Sequence, residues 1–217
     1  MKSRGFTLIE IIVSLAIFSV VAVIAIGALV RVTSANRQAQ AIQSGVNNVS
    51  FIMDSMSREL RVGTNILCYR GSTLDSNNTS LTFFGNTCTP GAVMDNKRDT
   101  LISFNSANTS IGTGDTSCNL LYAYLFHVPG TSGATTTTTI YKAQATSCTD
   151  TLQNLIFYPL TSQTVNITDY KVGVFGGVKP QLYEWVYLRL KGYVGVQIKD
   201  RSIFDVETSI SERNNQS

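Results

Sequence analysis

Hydrophobic and polar positions divide this chain into two unequal parts. Residues 11–30 form an apolar run of about twenty without a charge, long enough as a helix to cross a ~30 Å hydrocarbon layer. Ahead of it lies a short leader, Met1-Lys2-Ser3-Arg4-Gly5-Phe6-Thr7-Leu8-Ile9-Glu10. Beyond it, Ala35, Ala39, Ile42, Val46, Val49, Met53, Met56 and Leu60 recur at alternating spacings of four and three, a helical stripe. Gln38, Gln40, Gln43, Asn47, Asn48 and Ser57 lie off that stripe. Arg58 and Arg61 fall in the last turn, where cations suit a helix C-terminus, and Gly63 is placed to cap it. The pattern predicts one helix from Phe6 to about Val62, roughly 85 Å long at 1.5 Å per residue. Gly45 interrupts it at a cost of about 1 kcal/mol relative to alanine.

From residue 64 onwards the period shortens to two. Strand-like runs occur at residues 81–84, 101–104, 120–128, 135–143, 155–158, 170–175, 183–190, 193–199 and 203–210. Alternation is clean in Phe204, Val206, Thr208 and Ile210, and again in Val186, Leu188 and Leu190. Turn signals at Gly130, Gly133 and Gly176-Gly177 separate the runs, and the threonines from Thr135 to Thr139 suit a polar hairpin arm. No boundary or repeat divides residues 64–217. A single β-rich head is expected, with the second half of the helix covering one sheet face, an α+β architecture.

Candidate chemistry changes this picture little. His127, the one histidine, sits in an apolar run and reads as a strand residue. Asp95-Asn96-Lys97-Arg98-Asp99 reads as a solvated turn, because bases between its acids make a poor calcium loop. There is no phosphate-binding glycine loop and no nucleophile elbow, so a structural protein is expected, with no enzyme activity, cofactor or metal. Sequons at Asn48, Asn77, Asn78, Asn108 and Asn166 read as chance in an Asn/Thr-rich chain. The net charge of +3 is too small to argue nucleic-acid binding by itself. Tyr183, Trp185 and Tyr187 share a strand face with Arg189 and Lys191, a candidate ligand surface for bases or sugars. Packing of that row on the helix or on a neighbouring subunit is the stronger expectation.

Glu10 is the exception to an otherwise plain membrane anchor. A carboxylate in a lipid-embedded helix costs roughly 2.5–3.5 kcal/mol on insertion scales and marks function by default. Gly5-Phe6-Thr7-Leu8-Ile9-Glu10 resembles the cleavage and methylation signal of type IV prepilins and pseudopilins. The resemblance implies that a prepilin peptidase cuts after Gly5, that the new amine of Phe6 is N-methylated, and that the apolar run stays in the mature chain. Glu10 then faces the Phe6 amine of a neighbouring subunit and sets the register of assembly, each charge offsetting the other's cost in an apolar medium. The implied divisions are a leader at 1–5, a membrane or filament-core helix at 6–30, an amphipathic helix at 31–63 and the head at 64–217.

Lys2 and Arg4 place the leader in the cytoplasm and the head outside it, giving a single-pass inner-membrane protein that passes into a pilus or pseudopilus. Cys68, Cys88, Cys118 and Cys148 therefore face an oxidising space. A hairpin centred near Gly133 favours Cys118–Cys148, and Cys68–Cys88 follows across a turn near Asn77-Asn78. Each closure contributes roughly 3–3.5 kcal/mol by chain entropy. Met56-Ser57-Arg58-Glu59-Leu60-Arg61 and the run from Phe204 to Arg213 resemble the helix end and final strand of J-type pseudopilins and larger minor pilins. Many major pilins carry a proline where Gly27 stands, which together with the size of the head favours a minor component. The implied role is a minor pilin or pseudopilin within or initiating a type IV pilus-like filament. Its implied partners are other pilin subunits, a prepilin peptidase, the inner-membrane assembly platform, and membrane lipid before assembly. The alternatives are a J-type pseudopilin of type II secretion and a tip-located module, an adhesin or a DNA-capturing minor pilin.

Overall fold

The computed structural model describes residues 7–71, 73–74, 81–83, 86–89, 91–95, 97–111, 118–129, 137–176, 185–195 and 201–211. One helix, α1 (Leu8–Arg61), runs for 54 residues, roughly 80 Å at 1.5 Å per residue. Thr7 caps its start, accepting the Glu10 N–H on its hydroxyl at 3.4 Å and on its carbonyl at 3.1 Å. Arg58 and Arg61 occupy the last turn, as the sequence pattern indicates. The end itself differs. Val62 caps the helix, and Gly63 opens a strand without entering the left-handed region, which Asn65 enters instead with φ of 59°.

Twelve described strands follow: β1 (Gly63–Arg70), β2 (Thr73–Leu74), β3 (Leu81–Phe83), β4 (Asn86–Thr87), β5 (Val93–Asp95), β6 (Thr100–Ile111), β7 (Cys118–His127), β8 (Thr139–Gln144), β9 (Tyr158–Pro159), β10 (Val165–Phe175), β11 (Trp185–Val194) and β12 (Ser202–Ser211). They form a six-stranded sheet ordered β4-β1-β6-β7-β8-β9, a four-stranded sheet ordered β12-β11-β10-β5, and the β2-β3 pair. Every pairing is antiparallel, and an isolated bridge from Thr138 to Ile167 joins the two larger sheets.

Alternation along the six-stranded sheet builds two apolar layers. Ile66, Ile102, Phe104, Tyr124, Phe126 and Ile140 point into a core that α1 and the four-stranded sheet also fill. Leu101, Ala123, Leu125, Tyr141 and Ala143 point the other way, where Leu155 and Phe157 cover them. That cover corrects the strand expected at residues 155–158. Only Tyr158 and Pro159 pair, while Leu155 and Phe157 pack as a loop over the sheet. Of the two strands expected at 183–190 and 193–199, the described parts are continuous, since β11 runs through Lys191-Gly192 to Val194, while residues 183–184 and 196–199 lie outside the described residues. A Cβ at Gly192 would lie 2.0 Å from the Asn166 carbonyl oxygen, so glycine there serves close packing between strands and does not mark a turn.

The helix meets the head through Val49, Ile52, Met53, Met56 and Leu60, all buried, with Ile42 half-buried. Ala35, Ala39 and Val46 from the predicted stripe are exposed. A strict alternation of four and three drifts around a straight helix, and the true contact line passes through Gly45. There α1 lies against β11 so closely that a Cβ would stand 2.1 Å from Val194 Cγ1. Asn48 fastens the same turn, donating from Nδ2 to the Leu160 carbonyl at 3.1 Å and accepting the Ser162 N–H on Oδ1 at 3.0 Å.

This contact yields a test. Gly45→Ala gains about 1 kcal/mol of helix propensity but overpacks Val194, which typically costs about 1–3 kcal/mol. Denaturant unfolding of the full chain in detergent should show Gly45→Ala destabilised in the native background and less destabilised in a Val194→Ala background, which removes the methyls at 2.1 and 2.8 Å and keeps the Cβ at 2.9 Å. Stabilisation by Gly45→Ala alone would refute the close approach.

Candidate functional site

Among the described residues, nothing covers the first half of α1. Every large apolar side chain from Leu8 to Val32 is more than half exposed, on all sides of the helix. Burying each would stabilise by roughly 1.5–3 kcal/mol, so this segment carries a large unmet demand for an apolar environment. Its hydroxyls make no such demand on water. Ser14 donates to the Ile11 carbonyl, Ser19 to those of Leu15 and Ala16, and Thr33 to those of Leu29 and Val30. Glu10 stands apart. It lies exposed in the first turn, and its carboxylate meets no cation among the described residues. Gly5 and Phe6 lie outside the described residues. Among those described, α1 is the one helix long and apolar enough to cross a membrane.

At the other end of α1 a polar cluster locks helix to sheet. Glu59 accepts the Tyr124 hydroxyl on Oε2 at 2.6 Å and pairs with Lys142 through Oε1. Ser55 also donates to Oε1, at 3.3 Å. Lys142 Nζ lies 5.4 Å from the centre of the Tyr122 ring and 5.8 Å from that of Tyr124. Burial, then the Glu59 carboxylate, pushes the Tyr124 phenol well above its ordinary value, so it remains a donor across the physiological range.

The structure joins Cys68 to Cys88 and Cys118 to Cys148, with Cα separations of 5.3 and 5.7 Å. The second bond closes the β7-β8 hairpin, whose tip lies outside the described residues. Near it, Asp150 accepts the Thr146 N–H at 2.7 Å and the Ser147 N–H at 2.8 Å. Those backbone donors hold the Asp150 carboxyl below the usual aspartate range.

The expected solvated turn at 95–99 is only partly so. Asp99 is buried at 7 % exposure, taking His127 Nδ1 at 2.6 Å and the Val128 N–H at 2.7 Å. Asp95 accepts from Arg70 Nη2 at 2.8 Å. His127 is thus an end-of-strand partner of a buried acid, a role that its apolar neighbours hid. Among the described residues no three His, Cys, Asp or Glu side chains gather as metal ligands.

The aromatic row faces away from α1, which removes packing on the helix and leaves the other half of the expectation, a neighbouring subunit, untouched. Val186, Leu188 and Leu190 enter the core, so the alternate residues Trp185, Tyr187, Arg189 and Lys191 occupy the outer face of the four-stranded sheet. Trp185 is 39 % exposed, and its ring stacks on Phe175 with centres 4.0 Å apart. Phe175 was invisible as a partner until the register of β10 on β11 was known. Arg189 is held in a bidentate pair by Asp205, at 2.8 Å from Nε and 2.6 Å from Nη2. The guanidinium in turn keeps the Asp205 carboxyl low. Arg201 lies 4.0 Å over the Tyr193 ring. Tyr183 lies outside the described residues.

A long helix, naked and apolar for half its length and anchored by the other half to antiparallel sheets, defines an α+β protein consistent with the type IV pilin fold. Residues 1–26 match a family described as the prokaryotic N-terminal methylation motif, so the chain carries a type IV pilin-like prepilin signal. That family is structural rather than catalytic, and the signal implies other pilin subunits and processing by a prepilin peptidase. Motif and apolar helix together fit a membrane-anchored protein. No curated protein and no solved structure matches the chain.

Acid titration checks the two turn and sheet carboxylates. Their native pKa values are depressed, so the stability they contribute is present above the unfolded value of about 3.9 and is lost as pH falls through the native value. Carboxyl NMR should place the midpoints of Asp150 and Asp205 below about 3.9. Midpoints at or above it would mean that neither contact persists in solution.

Proposed function

We propose that the protein is a minor pilin or pseudopilin, a structural subunit incorporated in or initiating a type IV pilus-like filament. One observation carries this reading: the methylation motif runs without a break into a helix whose apolar side chains are uncovered on every side. Lipid covers such a surface before assembly, and parallel helices of neighbouring subunits cover it afterwards. On this reading a prepilin peptidase cuts between Gly5 and Phe6, Phe6 becomes N-methylated, and the head is extracytoplasmic on an inner-membrane anchor. The assembly platform then brings the Glu10 carboxylate of one subunit to the Phe6 amine of another, removing two isolated charges from an apolar medium in one contact.

A second reading, a tip-located binding module, is favoured by the outward placement of Trp185 and Tyr187. Its DNA-capturing form leaves phosphate to Lys191, or requires it to displace Asp205 from Arg189. Its adhesin form, stacking a surface ligand on Trp185, does not. Trp185→Ala should then abolish ligand capture while leaving assembly intact.

Two measurements test the first reading. N-terminal sequencing of protein from its own host should find a chain beginning at methylated Phe6, and a mature chain beginning at Met1 would overturn it. Glu10→Ala and Glu10→Gln should both insert and be cleaved but be lost from sheared filaments. Normal incorporation of both variants would remove Glu10 from the assembly contact.

A further inference from the structure

Where the β4 edge of the six-stranded sheet approaches β5 of the four-stranded sheet lies a cleft of about 130 Å³. Its lining is Arg70, Asn86, Thr87, Cys88, Thr89, Met94 and Arg98. The buried Met94 side chain and the half-buried Cys88, tied to buried Cys68, supply its apolar part. The other lining side chains can all donate hydrogen bonds: two guanidiniums, an amide and two hydroxyls, with no acid among the described lining residues. Arg70 reaches Asp95 through Nη2 alone, and its Nε is buried with no acceptor among the described residues. Asp95 is itself shared, since Lys97 Nζ lies 3.6 Å from its other oxygen. Asp99, the next acid along the chain, is occupied by His127 and the Val128 N–H. Among the described residues, Asp95 is thus the one acid paired with either guanidinium of the cleft.

The geometry points to a small oxyanion-binding site in this cleft, taking a carboxylate or phosphate group between the guanidiniums of Arg70 and Arg98. Planar guanidiniums recognise such groups by paired hydrogen bonds, and the hydroxyls of Thr87 and Thr89 complete the donor set. Size narrows the ligand. At about 130 Å³ the cleft is well below the roughly 300–1,000 Å³ of sites for drug-sized molecules. The oxyanion is either a free solute or an acidic side chain of a neighbouring subunit, and these share one chemistry.

Calorimetric titration of the full chain in detergent, at constant ionic strength, uses inorganic phosphate and acetate as probes. Wild type should bind at least one of them. Arg98→Gln, at an exposed position, should weaken binding by about tenfold or more, whereas Lys97→Gln, a neighbouring cation outside the lining, should change it by less than about twofold. Absence of binding by wild type overturns the site, and so does an equal loss in both variants, which would signify diffuse charge. With binding established, loss of Arg98→Gln from sheared filaments assigns the oxyanion to a neighbouring subunit, and normal incorporation assigns it to a free solute. The titration is independent of whether the chain builds a filament.

Discussion

The burial of Ile52, Met56 and Leu60 against both larger sheets is the interaction on which the rest of the molecule depends. Neither sheet could hide its inner face without the helix, and the helix has no other means of fixing a head to its apolar half. The same element thus has two solvents. Its second half satisfies its apolar face within the chain, and its first half leaves that demand for lipid or for other subunits. The division falls near Gly45, the first fully buried position of α1, where the backbone comes against Val194.

Polar contacts then specify what the apolar seam alone would leave free to slide. Asn48 ties the helix to the loop at Leu160 and Ser162, and Glu59 ties it to Tyr124 and Lys142 three turns later. Each half-buried donor meets an acceptor at one helix position only, so the two clamps set both the rotation and the axial position of α1. The disulfides act elsewhere, closing the β7-β8 hairpin and tying β1 to the segment after β4, where short strands and loops have little core of their own.

The helix and most of the longer strands were legible because their periods are long and clean. The spacing of Val49, Met53, Met56 and Leu60 pointed to the core, and the alternation of Val186, Leu188 and Leu190 pointed to one sheet face. Strand β1 was hidden because a register shift between Thr64 and Leu67, with Asn65 left-handed, breaks its alternation. Residues 155–158 misled for the opposite reason, since an apolar run covering a sheet has the same composition as a strand within it. Glu10 could be singled out directly, because a charge beside an apolar run needs no tertiary context to be noticed, and its assembly role is a proposal. The stacking of Trp185 on Phe175, the occupation of Arg189 by Asp205 and the burial of Asp99 depend on pairings between distant segments, which no local pattern encodes.

The unbroken course of α1 has a mechanical consequence. Gly27 leaves the helix continuous, and no side chain elsewhere among the described residues comes within 4 Å of a Cβ placed there. Tension applied along the axis at the N-terminus therefore travels through one ladder of hydrogen bonds to the head, without a hinge to absorb it. It arrives as shear along the seam from Val49 to Leu60, where the side chains must all slip together, and not as a peeling force that opens them in turn. A rod joined to its head in this way delivers its load to the whole seam at once, and the Asn48 and Glu59 clamps hold its rotation against the head while it does so.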